Sequence, residues 1–182
     1  MPRFIHLNGA PGVGKSTVAR RWAADHPGTL VLDVDLLRTL VGGWADDYAR
    51  AGALVRPVAL AAITAYLAEG QDVVLPQLIA RRDELARFRA AAEGADYRHL
   101  VLVAPPDELA RRFRERPAGG PDDPTAVVAR HVDEHGGDAL LRRYDADVRA
   151  LAAGDAGALL VETVAGDLEA TYAAVRAVVG HG

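Results

Sequence analysis

The stretch Phe4-Ile5-His6-Leu7-Asn8-Gly9-Ala10-Pro11-Gly12-Val13-Gly14-Lys15-Ser16-Thr17 decides how the rest of the chain is read. From Gly9 to Ser16 it matches G-x-x-x-x-G-K-[ST] in full. In that pattern backbone N–H groups cradle phosphate oxygens, the lysine reaches the β- and γ-phosphates, and the hydroxyl completes a Mg²⁺ shell. The pattern needs a strand before it and a helix after it. Residues 4–7 form a short apolar run suited to a buried strand, and residues 17–24 carry a helical pattern. Lys15 is the only lysine and Ser16 the only serine of a chain whose other 20 basic side chains are arginines. Codon bias toward Ala, Arg, Gly and Val accounts for the scarcity of lysine but not for its position. A compact ammonium on a flexible stem follows phosphate oxygens where a planar guanidinium fits poorly. The expected nucleotide-binding set is Gly9, Ala10, Pro11, Gly12, Val13, Gly14, Lys15, Ser16 and Thr17.

A length of 182 residues fits one domain, 1–182, and a half-apolar composition supplies a sizeable core. The net charge of −4 implies no general attraction to nucleic acid or to a membrane surface. With no cysteine there is neither a disulfide framework nor a thiolate metal site. No apolar run approaches about 18 residues and the N-terminus enters a strand at once, so the expectation is a soluble cytoplasmic protein without signal peptide or membrane helix.

Apolar, β-rich runs at 4–7, 30–32, 73–75, 100–103 and 159–161 alternate with helical patterns at 47–69, 83–93, 107–116, 125–134, 139–152 and 167–179. The first of these helices reads as broken near Pro57. Alternation of this kind predicts an α/β fold with right-handed crossovers, a five-stranded, mostly parallel sheet and helices on both faces. The one irregular stretch, residues 116–124, is rich in Pro and Gly and lies between two helices.

Two kinds of phosphate-loop protein are set aside. A regulatory GTPase reads guanine with Asn-Lys-x-Asp, which a chain whose only Asn is Asn8 and only Lys is Lys15 cannot contain. A motor or AAA-type ATPase normally ends an apolar strand in an acid, whereas here the third strand runs Val73-Val74-Leu75-Pro76-Gln77. The acids fall after the second strand instead, in Leu32-Asp33-Val34-Asp35-Leu36-Leu37-Arg38. Strand ends face the ligand crevice in open parallel sheets. A carboxylate there orients or deprotonates an acceptor hydroxyl, or holds water around Mg²⁺. The other reading of Asp35 is an N-cap of a helix beginning at Leu36. Arg38 opposes the dipole of that helix, which points to an anion or acid partner, with a solvated arginine as the other reading.

The phosphate loop, Leu-Asp-x-Asp-x-x-Arg and a following arginine-rich segment together resemble the small phosphate-loop kinases, among them chloramphenicol phosphotransferase, the zeta toxins and adenylylsulfate kinase. The resemblance implies a P-loop NTPase fold of the nucleoside-monophosphate-kinase kind with a helical lid over about 108–135. It implies Asp35 as base on the acceptor hydroxyl and Asp33 as helper. The Val-Val-Leu-Pro-Gln strand end also resembles tunicamycin-resistance ATP-binding proteins. Chloramphenicol phosphotransferase and the zeta toxins carry an acid at that strand end, and this chain departs from them with Pro76-Gln77.

The lid segment reads Arg111-Arg112-Phe113-Arg114-Glu115-Arg116, with Arg130 further on. Arg112 and Arg116 are i,i+4 neighbours on one helix face, where cations could stabilise a transferring phosphoryl group; a solvated basic helix is the other reading. His131-Val132-Asp133-Glu134-His135 matches H-x-x-E-H, a short zinc pattern of low specificity, and reads otherwise as a polar helix face. Trp44, near Tyr48, is read as either an acceptor contact or a core anchor. Gln77, Arg81 and Arg82 follow the third strand toward the same crevice. The expectation is thus an ATP- and Mg²⁺-dependent kinase acting on a small-molecule hydroxyl. Its catalytic residues are Lys15, Asp35, Arg112 and Arg116, with Arg112 also on the nucleotide. Asp35, Arg38, Trp44, Gln77, Arg81 and Arg130 bind the acceptor, and Ser16 and Asp33 hold the metal. A non-catalytic ATP-binding module that sequesters a drug, and a kinase of nucleotide sugars, stand as alternatives.

Overall fold

A computed structural model of the chain describes residues 1–116 and 123–180. Most of the Pro/Gly-rich stretch expected within a lid, residues 117–122, lies outside the described residues. In chain order the elements are β1 (Arg3–Asn8), α1 (Lys15–Asp25), β2 (Leu30–Val31), α2 (Val34–Arg38), α3 (Tyr48–Ala68), β3 (Val73–Leu75), α4 (Arg82–Ala91), β4 (Asp96–Val103), α5 (Pro106–Arg114), α6 (Pro124–Glu134), α7 (Asp138–Ala153), β5 (Ala158–Glu162) and α8 (Leu168–Val179). The strands form one sheet in the order β2-β3-β1-β4-β5, and every pairing is parallel.

Alternation along the central strands sends side chains to two cores. Ile5, Leu7, Leu100 and Leu102 pack with Val18, Ala19 and Trp22 of α1 and Tyr172 and Val175 of α8. Phe4, Val73 and Leu75 pack on the other face with Val55, Ala59 and Ile63 of α3 and Leu85 and Phe88 of α4. Helices therefore cover both faces of the sheet, with β1 in its middle.

Two local expectations are corrected. Pro57 does not break α3, which runs unbroken through it. The proline is exposed, so the carbonyl it leaves unbonded in the preceding turn faces water rather than the core. β4 begins at Asp96, well before the apolar run, because its polar first half pairs residue by residue with β1 from Arg3↔Asp96 to His6↔His99. α3 is long and apolar enough to cross a membrane by length and composition alone, with a mean hydropathy of 1.6. In the fold its Ala51, Val55, Ala59, Ile63 and Leu67 are buried on one side.

On the α3 side, the end of β1 is polar. His6 and Asn8 have no exposed surface and His99 of β4 almost none. The two imidazoles stack with centroids 4.9 Å apart. Burial first, then His99 and Lys15, lowers the His6 pKa from 6.5 to about 3. Between these values the unfolded chain binds a proton that the folded chain refuses, so stability falls as pH falls. The loss approaches about 1.4 kcal/mol per pH unit for this one group. Urea unfolding of the wild type from pH 7 to pH 4 should show this slope, and His6→Gln should be shallower by close to one proton. An identical slope in His6→Gln would show that His6 is not held neutral.

Candidate active site

The phosphate loop leaves the centre of the sheet at Gly9. Its φ is +142°, and a Cβ there would lie 2.6 Å from the Leu102 carbonyl oxygen and 2.9 Å from Val13 Cγ1. At the far end Gly14, with φ +102°, caps α1. The first N–H groups of α1 have no carbonyl partner within the helix and mark its positive end, which suits an anion. Lys15 Nζ donates to the Gly9 and Ala10 carbonyls at 2.8 and 3.0 Å. Burial lowers its pKa to about 8; Asp35 and Asp33 act to raise it, and Arg116 to lower it.

The two acids after β2 do different work. α2 begins at Val34, and its N-cap is Asp33, whose Oδ1 accepts the Asp35 N–H at 3.0 Å. Asp35 is therefore not a cap. Asp33 Oδ2 accepts the Ser16 hydroxyl at 3.1 Å. Burial, and then the Asp35 charge, raise the Asp33 pKa. Asp35 Oδ1 accepts the Tyr48 hydroxyl at 2.9 Å and lies 3.5 Å from Arg38 Nε. Arg38 is only 6% exposed, with its guanidinium 3.9 Å from the Tyr48 ring centroid. Of its two readings the acid partner is the one seen. Its other side is packed on Gly52, where a Cβ would come within 2.9 Å of the guanidinium. Burial and Asp35 push the Tyr48 hydroxyl well above the usual tyrosine range.

The donor set fits Mg²⁺ and nucleotide. Ser16 Oγ and Asp33 Oδ2 are adjacent hard oxygens, and Asp33 is a half-buried carboxylate close to a second one, a charge balance that a divalent cation improves. Among the described residues no group of three or more His, Cys, Asp or Glu could hold a metal. Mg²⁺ suits such a site because it keeps water and phosphate oxygens in its shell. The H-x-x-E-H pair is part of no such group among the described residues; the His131 and His135 rings lie tilted against each other with centroids 4.2 Å apart.

One cavity of about 610 Å³ joins these parts. Pro11, Gly12, Gly14, Lys15, Ser16 and Thr17 line one end, and Asp33, Asp35, Arg38 and Gln77 line it too. Gly9, Ala10 and Val13 are buried beneath the loop. Arg116 reaches the cavity, but α5 ends at Arg114, so Arg112 and Arg116 do not share a helix face. Arg112 is held elsewhere, donating to Glu108 at 2.6 Å and to the Thr163 hydroxyl at 2.8 Å. Trp44 sits in a small core with Ala51 and Val127, which settles its reading as an anchor. Arg81 is tied to Asp83 in solvent, Arg82 lies against Gly154, and Arg130 is exposed on α6; none of the three lines the cavity. Sequence reasoning missed Arg20, Arg56, Thr125 and Tyr144, which do line it. Arg56 pairs with Glu84 of α4, a contact across 28 positions that no local pattern announces.

A family model described as an AAA domain matches residues 4–145. No curated protein matches the chain. Among solved structures, a gluconokinase from Sinorhizobium meliloti 1021 aligns over 98% of this chain and 95% of its own, with a TM-score of 0.60 and 19% identity. The tunicamycin resistance protein of Deinococcus radiodurans aligns over 99% of this chain and 96% of its own, with a TM-score of 0.61 and 15% identity. At such identities these likenesses show the fold. The family label is one that the acid-free third strand had set aside; Pro76 and Gln77 nonetheless stand at that strand end.

The lysine gives a test by pH. In the free protein Lys15 loses its charge above about pH 8. Phosphate favours the charged form, so binding above that pH takes up a proton. Affinity for MgADP should be flat below pH 8 and weaken above it, toward tenfold per pH unit. Calorimetry in two buffers of different ionisation enthalpy measures both the affinity and the proton uptake. Lys15→Ala should bind more weakly and lose the break near pH 8; a break that persists in this variant would assign it to another group.

Proposed function

The chain belongs to the AAA domain family, with a phosphate-loop kinase-like fold, and we propose that it is an ATP- and Mg²⁺-dependent phosphotransferase acting on a hydroxyl of a small-molecule acceptor. The observation that carries the reading is the single cavity in which Lys15 and Ser16 meet Asp33 and Asp35. The loop amides, the α1 N-terminus and Lys15 hold the phosphates. Ser16 and Asp33 hold Mg²⁺, which neutralises phosphate charge when bound. Asp35 orients the acceptor and takes its proton: Tyr48 and Arg38 both engage Oδ1, which leaves Oδ2 for the hydroxyl. Arg116 stands at the phosphate end of the cavity, close enough to act on the Lys15 charge, where a cation stabilises the transferring group. The name of the gluconokinase supports a polar acceptor. So do the charged and hydroxyl side chains around the cavity.

A second reading is a non-catalytic ATP-binding module that sequesters a drug. The acid-free strand end Pro76–Gln77 and the fold likeness to a tunicamycin resistance protein favour it. Incubation with γ-labelled ATP and a pooled extract of metabolites and antibiotics separates the two. Label in a new small molecule supports transfer, and binding without turnover supports the module. Asp35→Asn should lower transfer by about 10²–10⁴-fold while leaving ATP affinity nearly unchanged. Wild-type turnover in Asp35→Asn would remove Asp35 from the chemistry.

A further inference from the structure

β1 and β3 pair only as far as His6 and Leu75. The next residue is Pro76, which has no N–H for a ladder. Beyond it, side chains of β1 replace the backbone. His6 Nε2–H donates to the Gln77 carbonyl at 3.0 Å. Asn8 bonds both backbone groups of Ile79: Nδ2 donates to its carbonyl at 2.8 Å and Oδ1 accepts its N–H at 3.0 Å. The same Oδ1 accepts the Gly9 N–H, the first of the phosphate loop, at 2.8 Å. The second hydrogen of Nδ2 goes to His99 Nε2 at 3.2 Å. His99 therefore carries its proton on Nδ1, donated to Asp155 Oδ2 at 2.9 Å.

Asn8 thus makes four hydrogen bonds, the full capacity of an amide, and has no exposed surface. Neither the Gly9 peptide nor the Ile79 peptide can shift without leaving a buried polar group unpaired, a state folded proteins avoid. Pro76, Gln77 and Leu78, just ahead of Ile79, line the cavity. We propose that Asn8 is a positioning residue that couples the phosphate loop to the third-strand wall, so that nucleotide held by the loop orders the backbone on which the acceptor stands. The mention of an acceptor rests on the kinase reading; the coupling does not.

Amide hydrogen exchange on the full chain, with MgADP as the probe, tests it. In the wild type, saturating MgADP should slow exchange at Ile79 by about 5- to 150-fold, the usual range for coupled sites. In Asn8→Ala, Ile79 should exchange fast whether or not MgADP is bound. Asn8→Asp keeps oxygens for the Gly9 and Ile79 N–H groups but cannot donate to His99. Protection of Ile79 should persist in part, and the His99 titration midpoint, read by NMR, should rise as Nε2 gains a proton facing the carboxylate. Nucleotide protection of Ile79 that is absent in the wild type, or undiminished in Asn8→Ala, overturns the coupling. If Asn8→Ala does not fold, Asn8→Asp decides, and an unmoved His99 midpoint overturns it. Failure to phosphorylate any acceptor would sink the kinase reading and leave this result standing.

Discussion

A fully buried amide has to satisfy every hydrogen bond it can make, and Asn8 meets that constraint where the central strand hands over to the candidate site. β1 is the central strand, so its C-terminal end is flanked by β3 and β4. Apolar residues at this position would pack well but leave the Gly9 and Ile79 backbone groups without partners. The amide supplies them, and His99 and Asp155 fix its orientation from the β4 side. The polar stripe His6, Asn8 and His99 thus interrupts an otherwise apolar face where irregular backbone begins.

Charge in the cavity follows a similar rule of mutual dependence. Lys15 is desolvated, which weakens its hold on a proton, and two carboxylates act to restore it. Those carboxylates are close enough that Asp35 disfavours ionisation of Asp33. Each is accordingly given partners: Asp33 accepts the Ser16 hydroxyl and a backbone N–H, and Asp35 accepts the Tyr48 hydroxyl and pairs with the Arg38 charge. Arg38 is accommodated because Gly52, one helical turn beyond Tyr48, has no side chain. Asp35 is thereby oriented by α3 as well as by α2, so the acid after the second strand depends on a helix that begins 13 residues later.

The nucleotide end of the site was legible in the sequence because it is local. Strand, glycine loop, lysine and helix are contiguous, and Gly9, Gly12 and Gly14 all take positive φ. The sheet was legible for a related reason: strands buried on both faces are continuous apolar runs. Errors came where tertiary context overrode a local signal. Pro57 reads as a helix breaker but sits on the solvent side of α3. The polar start of β4 reads as a loop but is paired to β1. Of the two readings of Asp35 the cap falls away, because Asp33 takes that role two residues earlier.

The other end of the cavity was legible only in part, because four segments far apart in sequence build it. Tyr48 and Arg56 come from α3, Gln77 follows β3, Arg116 follows α5, and Thr125 and His131 belong to α6. Arginine is so common here that its type alone does not separate Arg116, which reaches the cavity, from Arg81, which is locked to Asp83 in solvent. Pro76 shows the limit most clearly. As a motif position it registers only as a missing acid. In the fold it ends the β1–β3 ladder one residue after Leu75, and that break is what makes the side chains of His6 and Asn8 necessary. One proline therefore stands where an acid was looked for and also ends the ladder beside the buried His6 and Asn8, and only the register of the neighbouring strand reveals the second effect.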